Sequence, residues 1–324
     1  MSPQEFLHLA LIVAALAALM GLAEWLRARE LASPEHTRKL VHLGAGVVVV
    51  FLPDAFDSHW PVLGLAVGFF AVTLATQRKG ALRSVHGVDR ASAGAWSYPV
   101  VVYALFLLAG DEPLLFRIPI LILAFSDAFG AVVGKTYGMV RYRVMDQVRS
   151  LEGSTAFFVA AFLVTHLPLL LSGQTGRWES VLIAFVIALL VTLFEAVSLG
   201  GSDNAIVPLG AYALLGSLLS LPAADLELRA LVLLGMLLVV LATARWQGLS
   251  TSGAIGALLA GYAVWSLAGP GWLLPLVAFY LGFNALARVP GFSTPAMPGA
   301  NGDPQARERF EIAAVFAVAA PALL

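Results

Sequence analysis

The chain has 324 residues and a formal net charge of −1, with 60% hydrophobic and only 12% charged residues. A soluble domain contains about 25% charged residues, so this composition excludes an ordinary soluble protein. The sequence contains no cysteine, which excludes disulfides, thiolate zinc sites and cysteine nucleophiles.

The apolar residues occur in long runs, and the mean hydropathy is +0.87. A run of about 17–25 apolar residues is long enough to cross a hydrocarbon core of about 30 Å as a helix. Lipid offers no hydrogen-bond partners to an open backbone, and barrel strands would give short alternating segments instead. The sequence therefore predicts an all-α fold, a polytopic transmembrane helical bundle of about 11–12 spans.

The predicted spans, in chain order, are Phe6–Leu26, Leu40–Leu52, Pro61–Thr76, Ala91–Ala109, Ile118–Gly134, Thr155–Leu171, Val181–Leu199, Ala205–Leu221, Arg229–Ala244, Ser252–Ala268, Trp272–Ala287 and Phe310–Leu324. The first of them lacks the basic flank of a signal peptide, so we expect it to be a retained span.

The basic residues predict how the chain is oriented in the membrane. If the N-terminus lies outside, only Arg117, Arg177 and Arg229 of the 19 Lys and Arg residues fall in outer loops, which leaves 16 inside. Cytoplasmic loops carry an excess of Lys and Arg. We therefore expect an integral, multi-pass membrane protein with its N-terminus outside and its polar clusters on the cytoplasmic face.

A domain boundary is predicted at Leu221-Pro222, because the unusual polar residues inside the spans all precede it. This divides the chain into a first membrane domain at residues 1–222 and a partial second module at residues 223–324. Residues 290–307 are rich in Pro and Gly and predict an inner loop without regular structure. No convincing internal repeat is visible, so the sequence does not support an inverted-repeat transporter.

The first candidate site motif is Arg38-Lys39-x-x-His42 at the start of the second span. In a helix, residues four apart share a face, so Arg38 and His42 would point the same way. Two cations and an imidazole suit a phosphate-bearing ligand. The alternative is an ordinary basic flank with a histidine packed behind it.

The second motif places Asp127 inside an apolar helix, with Gly130, Gly134 and Lys135 following. A charged group at membrane depth costs about 2.5–3.5 kcal/mol on insertion scales, so it needs a reason. The glycines predict room beside the carboxylate for a bulky ligand, such as a magnesium-bound phosphate. The alternative is a helix-packing face with a paired aspartate.

The third motif is Arg149-Ser150-x-Glu152-Gly153-Ser154 at the start of the sixth span. Ser150 could cap that helix and Gly153 would allow close backbone approach. A helix N-terminus with exposed N–H groups binds anions, although capping alone would also explain the pattern.

The fourth motif joins Glu195, near the end of its span, to Gly200-Gly201 and to Asp203-Asn204. Two carboxylates and an amide beside glycines indicate a metal-coordinating loop, and the alternative is a polar turn with a helix cap.

All four motifs are predicted on one membrane face. Together they supply cations for phosphate, carboxylates for a divalent metal and a helix N-terminus, which is the set of groups that phosphoryl transfer needs. No P-loop or protein-kinase glycine loop occurs, and the segment from Gly130 to Lys135 is too short for a Walker loop.

In order and spacing, the four motifs resemble the phytol kinase and dolichol kinase family of membrane-embedded isoprenoid-alcohol kinases, over about residues 35–215. The resemblance implies CTP (or ATP) as phosphate donor, Mg²⁺, and a lipid-soluble prenol that enters from the bilayer. The nucleotide would come from the cytoplasm, and no nucleic acid partner is expected.

The resemblance also implies roles for individual residues. Asp127, Lys135 and Glu152 would be catalytic, and metal ligands would come from Asp127, Glu195, Asp203 and Asn204. The nucleotide would be bound by Arg38, Lys39, His42, Gly130, Gly134, Arg149, Ser150, Gly153 and Ser154. Relatives usually carry Lys where this chain has Arg149, which keeps the charge but not the compact ammonium.

The segment after about Leu226 resembles the opening spans of the phytyl-phosphate kinase-like membrane family, on the residues Gly248-Leu249-Ser250-x-x-Gly253-Ala254 and Ala287-Arg288. The second module is therefore expected to be a partial copy of such a domain.

Two other functions fit parts of the pattern. A CDP-lipid-forming cytidylyltransferase would share the donor and the fold, but the His-Gly-Gly and Asp-Arg-x-Asp elements typical of that class are missing. An ion-coupled lipid transporter would use Asp127 and Glu195 as ion sites. Its site should lie near the bilayer midplane, whereas the cations here cluster at span ends.

Overall fold

The computed structural model describes residues 2–79, 94–145, 147–198, 201–243, 249–286, 289 and 304–323. Clustering of its contacts divides the chain into two units. Unit 1 consists of Met1–Gly138 and Glu152–Leu221, and unit 2 consists of Met139–Leu151 and Pro222–Leu324. The boundary at 221/222 lies next to the predicted one, but the segment 139–151, which was predicted in the first domain, belongs to unit 2.

Unit 1 is helical throughout its described residues. Its elements are α1 Pro3–Ala28, α2 Pro34–Val49, α3 Leu52–Ala55, α4 His59–Lys79, α5 Gly94–Ala109, α6 Pro113–Leu121, a π-helical turn Ile122–Ser126, α7 Asp127–Tyr137, α8 Leu151–Ser172, α9 Arg177–Val197 and α10 Asp203–Leu219. The first residue of α8, Leu151, is assigned to unit 2.

In its described residues, unit 2 combines a short hairpin with four helices. Its elements are β1 Arg141–Val144, β2 Gln147–Ser150, α11 Ala223–Thr243, α12 Thr251–Ala268, a 3₁₀ turn Pro270–Trp272, α13 Leu273–Leu286 and α14 Pro304–Leu323.

Seven helical segments of the described residues are long and apolar enough to span a membrane, and three shorter apolar helices, Ser97–Ala109, Asp203–Leu219 and Pro270–Leu286, accompany them. The predicted class, an all-α multi-pass membrane protein, is confirmed. The seven segments are Pro3–Ala28, His59–Thr76, Pro113–Tyr137, Leu151–Ser172, Arg177–Val197, Ala223–Thr243 and Thr251–Ala268.

Local sequence explains where the first two helices begin. Ser2 and Glu5 form a capping box at the start of α1, with Pro3 in the first turn. Ser33 caps α2 by accepting a hydrogen bond from the backbone N–H of His36, and Pro34 follows it. The second predicted span thus belongs to a helix that begins six residues earlier than expected.

Burial distinguishes the central helix of unit 1 from the peripheral ones. Of the 18-residue apolar stretch of α9, 67% is buried, against 11% for α1. A helix that is apolar on all sides and buried forms the core, whereas an equally apolar exposed helix has a surface suited to lipid. The core beside the site contains Leu52, Leu105, Phe116 and Ile120, contributed by α3, α5 and α6.

The hairpin in unit 2 was not predicted, since residues 135–149 were treated as an inner loop. β1 and β2 pair antiparallel, with Arg141 opposite Ser150 and Val144 opposite Gln147. Strands of four residues are too short to show a clear alternation, and their arginines also fit the basic flank of a membrane span. Of the predicted loop at 290–307, residues 290–303 lie outside the described residues, whereas 304–307 form the first turn of α14, so the loop ends earlier than predicted. Also outside the described residues are Gly200, Gly248, Ala287-Arg288 and the inner-loop Arg83 and Arg90.

Candidate active site

The centre of the candidate site is an ion pair between α2 and α7 in unit 1. The Lys39 ammonium donates to the Asp127 carboxylate and, at 3.3 Å, to the Asp127 backbone carbonyl. The Lys39 side chain is 9% exposed and that of Asp127 is 20% exposed. A charge buried to this extent is stable only when it is paired. The first and second predicted motifs are therefore joined through their charged members.

His42 completes this cluster one turn along α2. Its Nε2 lies 3.2 Å from the backbone carbonyl of Leu123 and 3.7 Å from Oδ2 of Asp127. A carbonyl oxygen can only accept a hydrogen bond, so Nε2 carries the proton and donates it. His42 thus presents an N–H group toward the carboxylate, and its ring meets that of Tyr98 edge-on, with centroids 5.2 Å apart.

A π-helical turn places Asp127 beside these groups. Residues Ile122–Ser126 are π-helical, and Asp127 follows directly. A π-turn widens the helix and disturbs the regular carbonyl pairing, and the Leu123 carbonyl accepts from His42. Close packing holds α2 against this turn, because a Cβ added at Gly46 would lie only 2.3 Å from the Ala124 Cβ. Lys39, His42 and Gly46 recur at helical spacing on that face.

Apart from Oγ1 of Thr175, three further polar atoms of unit 1 are buried without a hydrogen-bond partner in the described part of the chain. They are Nε of Arg38, Oγ of Ser126 and the hydroxyl of Tyr98. A buried polar group without a partner is costly, and such groups point to a strained or ligand-binding position. Arg38 neighbours Lys39, Ser126 precedes Asp127, and Tyr98 contacts His42, so all three adjoin the same cluster.

Tyr98 is the member of this cluster that the sequence analysis missed, and Ser126 was noted in the second motif but given no role. Tyr98 lies in the apolar helix α5, 56 positions beyond His42 in the sequence. Neither the spacing nor the composition around it distinguishes it from an aromatic residue at a membrane interface.

Lys135, predicted to be catalytic, pairs with Glu35 in the first turn of α2. Its Nζ lies 2.5 Å from Oε2 of Glu35, and the two side chains are 55% and 40% exposed. The hydrogen bond from Lys135 lowers the pKa of Glu35 below its usual value, against the opposing effect of burial. Lys135 therefore lies at the outer edge of the cluster, and its catalytic role remains a prediction.

Gly130 does not leave the open space that the sequence analysis expected. A Cβ at this position would lie 3.2 Å from the Cβ of Phe157 and 3.3 Å from the Gly153 carbonyl. The two glycines of the second and third motifs therefore meet each other, because α7 and α8 pack closely there. Gly134 accepts a backbone hydrogen bond from Gly138 where α7 ends. The nucleotide-binding roles of both glycines remain predictions.

The rest of the third motif is divided between the two units. Arg149 and Ser150 end β2 in unit 2, where Nη2 of Arg149 donates to Oε1 of Gln147 over 2.8 Å. Glu152 and Ser154 are half-buried in the first turn of α8 in unit 1. Ser150 directly precedes α8, the position from which it was expected to cap that helix.

The fourth motif lies at the junction of α9 and α10. Glu195 is near the end of α9, and Asp203 begins α10, where its Oδ1 accepts from the backbone N–H of Asn204 over 3.1 Å. An acidic residue in a first turn is favoured by the helix dipole. Asp127, Glu195 and Asp203 do not form one cluster, since the described residues contain no group of three acidic or histidine side chains placed to hold a metal ion.

A magnesium site remains compatible with this arrangement. Mg²⁺ usually keeps several waters and is bound through one or two carboxylates together with substrate phosphates. Asp127 can be such a carboxylate, with the partnerless hydroxyl of Ser126 beside it in sequence. The donor set therefore fits a metal that arrives with a nucleotide better than a cage built from protein alone.

Comparison with known proteins agrees with the four motifs. The chain is 35% identical to a phytol kinase from Synechocystis sp. over 203 residues, which cover 60% of this chain and 84% of that protein. The chain belongs to the phytol kinase family. The resemblance stated from the motifs is thereby confirmed, as is the predicted class of enzyme, a lipid kinase that acts on an alcohol. No family model matches the chain, and no solved structure matches it.

Proposed function

We propose that this protein transfers a phosphoryl group from CTP, or from another nucleoside triphosphate such as ATP, to a long-chain isoprenoid alcohol such as phytol, geranylgeraniol or a polyprenol. The observation that carries the proposal is the 35% identity to a phytol kinase over most of that protein's length. The paired Lys39 and Asp127, with His42 beside them, supply a site of suitable chemistry.

The cations of α2 have capacity left for a phosphate. An ammonium group has three N–H donors, and the structure assigns those of Lys39 to two oxygens of Asp127. Among the described residues, one donor therefore remains for a phosphate oxygen. The buried Nε of Arg38 also lacks a partner among the described residues. Positioning and charge neutralisation are the main contributions that a protein makes to phosphoryl transfer.

Asp127 is the residue proposed to act at the reacting hydroxyl. Its carboxylate can accept the proton of a prenol hydroxyl or orient that hydroxyl toward the phosphate, and the N–H of His42 at 3.7 Å favours its charged form. Mg²⁺ held at Asp127 together with the substrate phosphates would neutralise charge on those phosphates. Glu195, Asp203 and Asn204 do not cluster with Asp127 in the described part of the chain, and their role as ligands stays a prediction. Glu152 and Ser154 are proposed to contact the nucleotide.

The direction of substrate entry follows from the predicted topology. We propose that the N-terminus is outside, that the nucleotide comes from the cytoplasm and that the prenol comes from the bilayer. A long apolar alcohol partitions into the hydrocarbon region, whereas the basic residues of α2 and α7 are expected at its cytoplasmic edge.

The test is a donor-by-acceptor assay on protein purified in detergent. CTP and ATP are offered with phytol, geranylgeraniol and a polyprenol, and the lipid phosphate is measured. We expect product with wild type and a loss of more than about 100-fold in Asp127→Ala. Asp54→Ala is the control, because Asp54 also forms an ion pair, with Arg117, but its side chain is 56% exposed.

Three results would contradict the proposal or redirect it. Wild type that phosphorylates no prenol with any nucleotide overturns the kinase assignment. A CDP-lipid formed from CTP and phosphatidic acid indicates the cytidylyltransferase. Equal losses in Asp127→Ala and Asp54→Ala show that the site has been placed wrongly.

A further inference from the structure

Two buried carboxylates of α14 lie against the beginning of α12 in unit 2. Glu308 is 8% exposed and Glu311 is 3% exposed, and they are one turn apart. Carboxylates at this depth are costly unless hydrogen bonds satisfy their oxygens. The donors here are the hydroxyls and backbone N–H groups around Ser250 and Ser252, where α12 begins.

Glu311 contacts the residue that caps α12. Its Oε2 accepts from the backbone N–H of Ser250 at 2.8 Å and from the Ser250 hydroxyl at 2.5 Å. Ser250 in turn caps α12 by accepting from the N–H of Gly253. A Cβ at Gly253 would lie 2.6 Å from Oε2 of Glu311, so the close approach of α14 depends on that glycine.

Glu308 reaches a third element, the β1–β2 hairpin. Its Oε2 accepts from the Ser252 hydroxyl at 2.5 Å and from the backbone N–H of Met145 at 2.6 Å. Met145 is in the hairpin turn and has a φ of 50°, which is unusual for a residue other than glycine. The Met145 carbonyl accepts from Nε of Arg143. The Met145 N–H is shared, since it also donates to Oγ of Ser252 at 3.0 Å. The Glu308 carboxylate, which accepts from both Met145 and Ser252, thus joins the turn of the hairpin to α12 and α14.

The hairpin leads directly into Arg149–Ser154, the segment that is proposed to bind the nucleotide. β2 ends at Ser150, and α8, with Glu152 in its first turn, begins at the next residue. The backbone N–H of Leu151 donates to the Val140 carbonyl at 2.8 Å, which ties the start of α8 to the base of the hairpin. A shift of the hairpin turn would therefore be transmitted to Arg149 and Ser150 through the two paired strands.

We propose that Glu308 is a positioning residue for nucleotide binding, and that the C-terminal helix holds the Arg149–Ser154 segment in place through the hairpin turn. The inference rests on the proposed kinase function. On this inference, unit 2 contributes to nucleotide binding by positioning the Arg149–Ser154 segment, and it does not itself need to bind a substrate.

The experiment compares Glu308→Ala with Glu311→Ala in the full-length chain in detergent. The KM for CTP, the KM for phytol and kcat are measured, together with hydrogen exchange of the peptide that covers residues 139–151. For Glu308→Ala we expect faster exchange of that peptide and a KM for CTP raised about tenfold, the size of effect expected when a hydrogen bond to a charged group is lost. The KM for phytol should stay within about twofold.

Two variants separate positioning from general stability. Glu311→Ala removes an equally buried carboxylate of α14, so it should leave the KM for CTP and the exchange of the hairpin unchanged. Glu308→Gln keeps an oxygen that accepts hydrogen bonds from both donors, so it should restore a KM near that of wild type. If Glu308→Ala fails to fold, Glu308→Gln is compared with Glu308→Asp instead. The shorter side chain of Glu308→Asp withdraws the oxygen from its two donors, so this comparison makes the same test.

The outcomes that overturn this inference differ from those that overturn the proposed function. A lower kcat with both KM values unchanged, or equal effects of Glu308→Ala and Glu311→Ala, would show a purely structural role. Faster hairpin exchange with an unchanged KM for CTP would also refute the coupling. An inactive wild type would refute the kinase assignment itself and this inference with it.

Discussion

Lys39 and Asp127 are 88 residues apart in the sequence, yet the ammonium of one donates to the carboxylate of the other between α2 and α7. Both are charged groups that are costly to place at this depth. Their pairing lowers that cost, and the contacts of Lys39 with described residues leave one of its N–H donors unassigned beside the carboxylate. Nε2 of His42, which donates to the Leu123 carbonyl, lies 3.7 Å from the same carboxylate.

The pairing predicts strong coupling between substitutions at these two positions. Lys39→Met or Asp127→Asn alone leaves a half-buried group without its partner, and we expect each to lower the free energy of unfolding by about 3 kcal/mol. The double variant should recover much of that loss while remaining inactive. Unfolding in detergent and the kinase assay measure the two effects, and additive stability losses would show that the pair is not coupled.

Gly46 is predicted to control the approach of α2 to the π-helical turn. The Cβ in Gly46→Ala would lie 2.3 Å from the Ala124 Cβ, so α2 must shift, with a loss of about 1–3 kcal/mol and of activity. Ala124→Gly in the same chain should restore both. Gly64→Ala is the control, because nothing lies within 4 Å of a Cβ there. A fully active Gly46→Ala would disprove the requirement for close packing.

His42 is predicted to stabilise the π-helical turn through its hydrogen bond to the Leu123 carbonyl. His42→Leu leaves that carbonyl without its donor, and we expect it to reduce stability by about 1–3 kcal/mol. His42→Gln retains an N–H donor, so it should reduce stability less than His42→Leu does. Thermal unfolding in detergent measures the stability of the two variants. Equal stability of the two variants would show that the bond contributes nothing measurable.

The pair of Lys135 and Glu35 is predicted to matter little for stability. Both side chains are well exposed, so Lys135→Gln should cost less than about 1 kcal/mol. The pKa of Glu35 is lowered in the folded state, so the pair stabilises the fold above the ordinary glutamate pKa and loses its effect as the pH falls through the lowered value. When unfolding is measured from neutral to acid pH, the free energy of unfolding should show a small decline in wild type that is absent in Lys135→Gln.

The same pair tests the catalytic role predicted for Lys135. If Lys135 contacts phosphate, Lys135→Gln raises the KM for the nucleotide and Glu35→Gln does not. Matching effects of the two substitutions would restrict Lys135 to its ion pair.

Membrane orientation can be tested by single-cysteine labelling, because the natural chain contains no cysteine. Tyr137, 66% exposed at the end of α7, is expected on the cytoplasmic face, and the exposed Asp57 on the outer face. A membrane-impermeant maleimide added to intact cells should label Asp57→Cys, whereas Tyr137→Cys should react only after the cells are opened. The reverse pattern would invert the proposed topology.

The membrane class was predicted from sequence, because an apolar run is a local pattern that needs no knowledge of contacts. The spacing of four residues predicted a shared face for Arg38 and His42, whereas the structure brings Lys39 and His42 to Asp127. The order of the four motifs also identified the family, since that comparison needs no contacts.

Only the tertiary structure decided which side chains meet. It paired Lys39 with Asp127 and Lys135 with Glu35, placed Tyr98 against His42, filled the space beside Gly130 with α8, and gave the turn at Met145 to Glu308. Such contacts depend on how whole helices pack, and residues far apart in sequence carry no local pattern that records it. Sequence alone determined which groups the protein carries, and packing determined which of them act together.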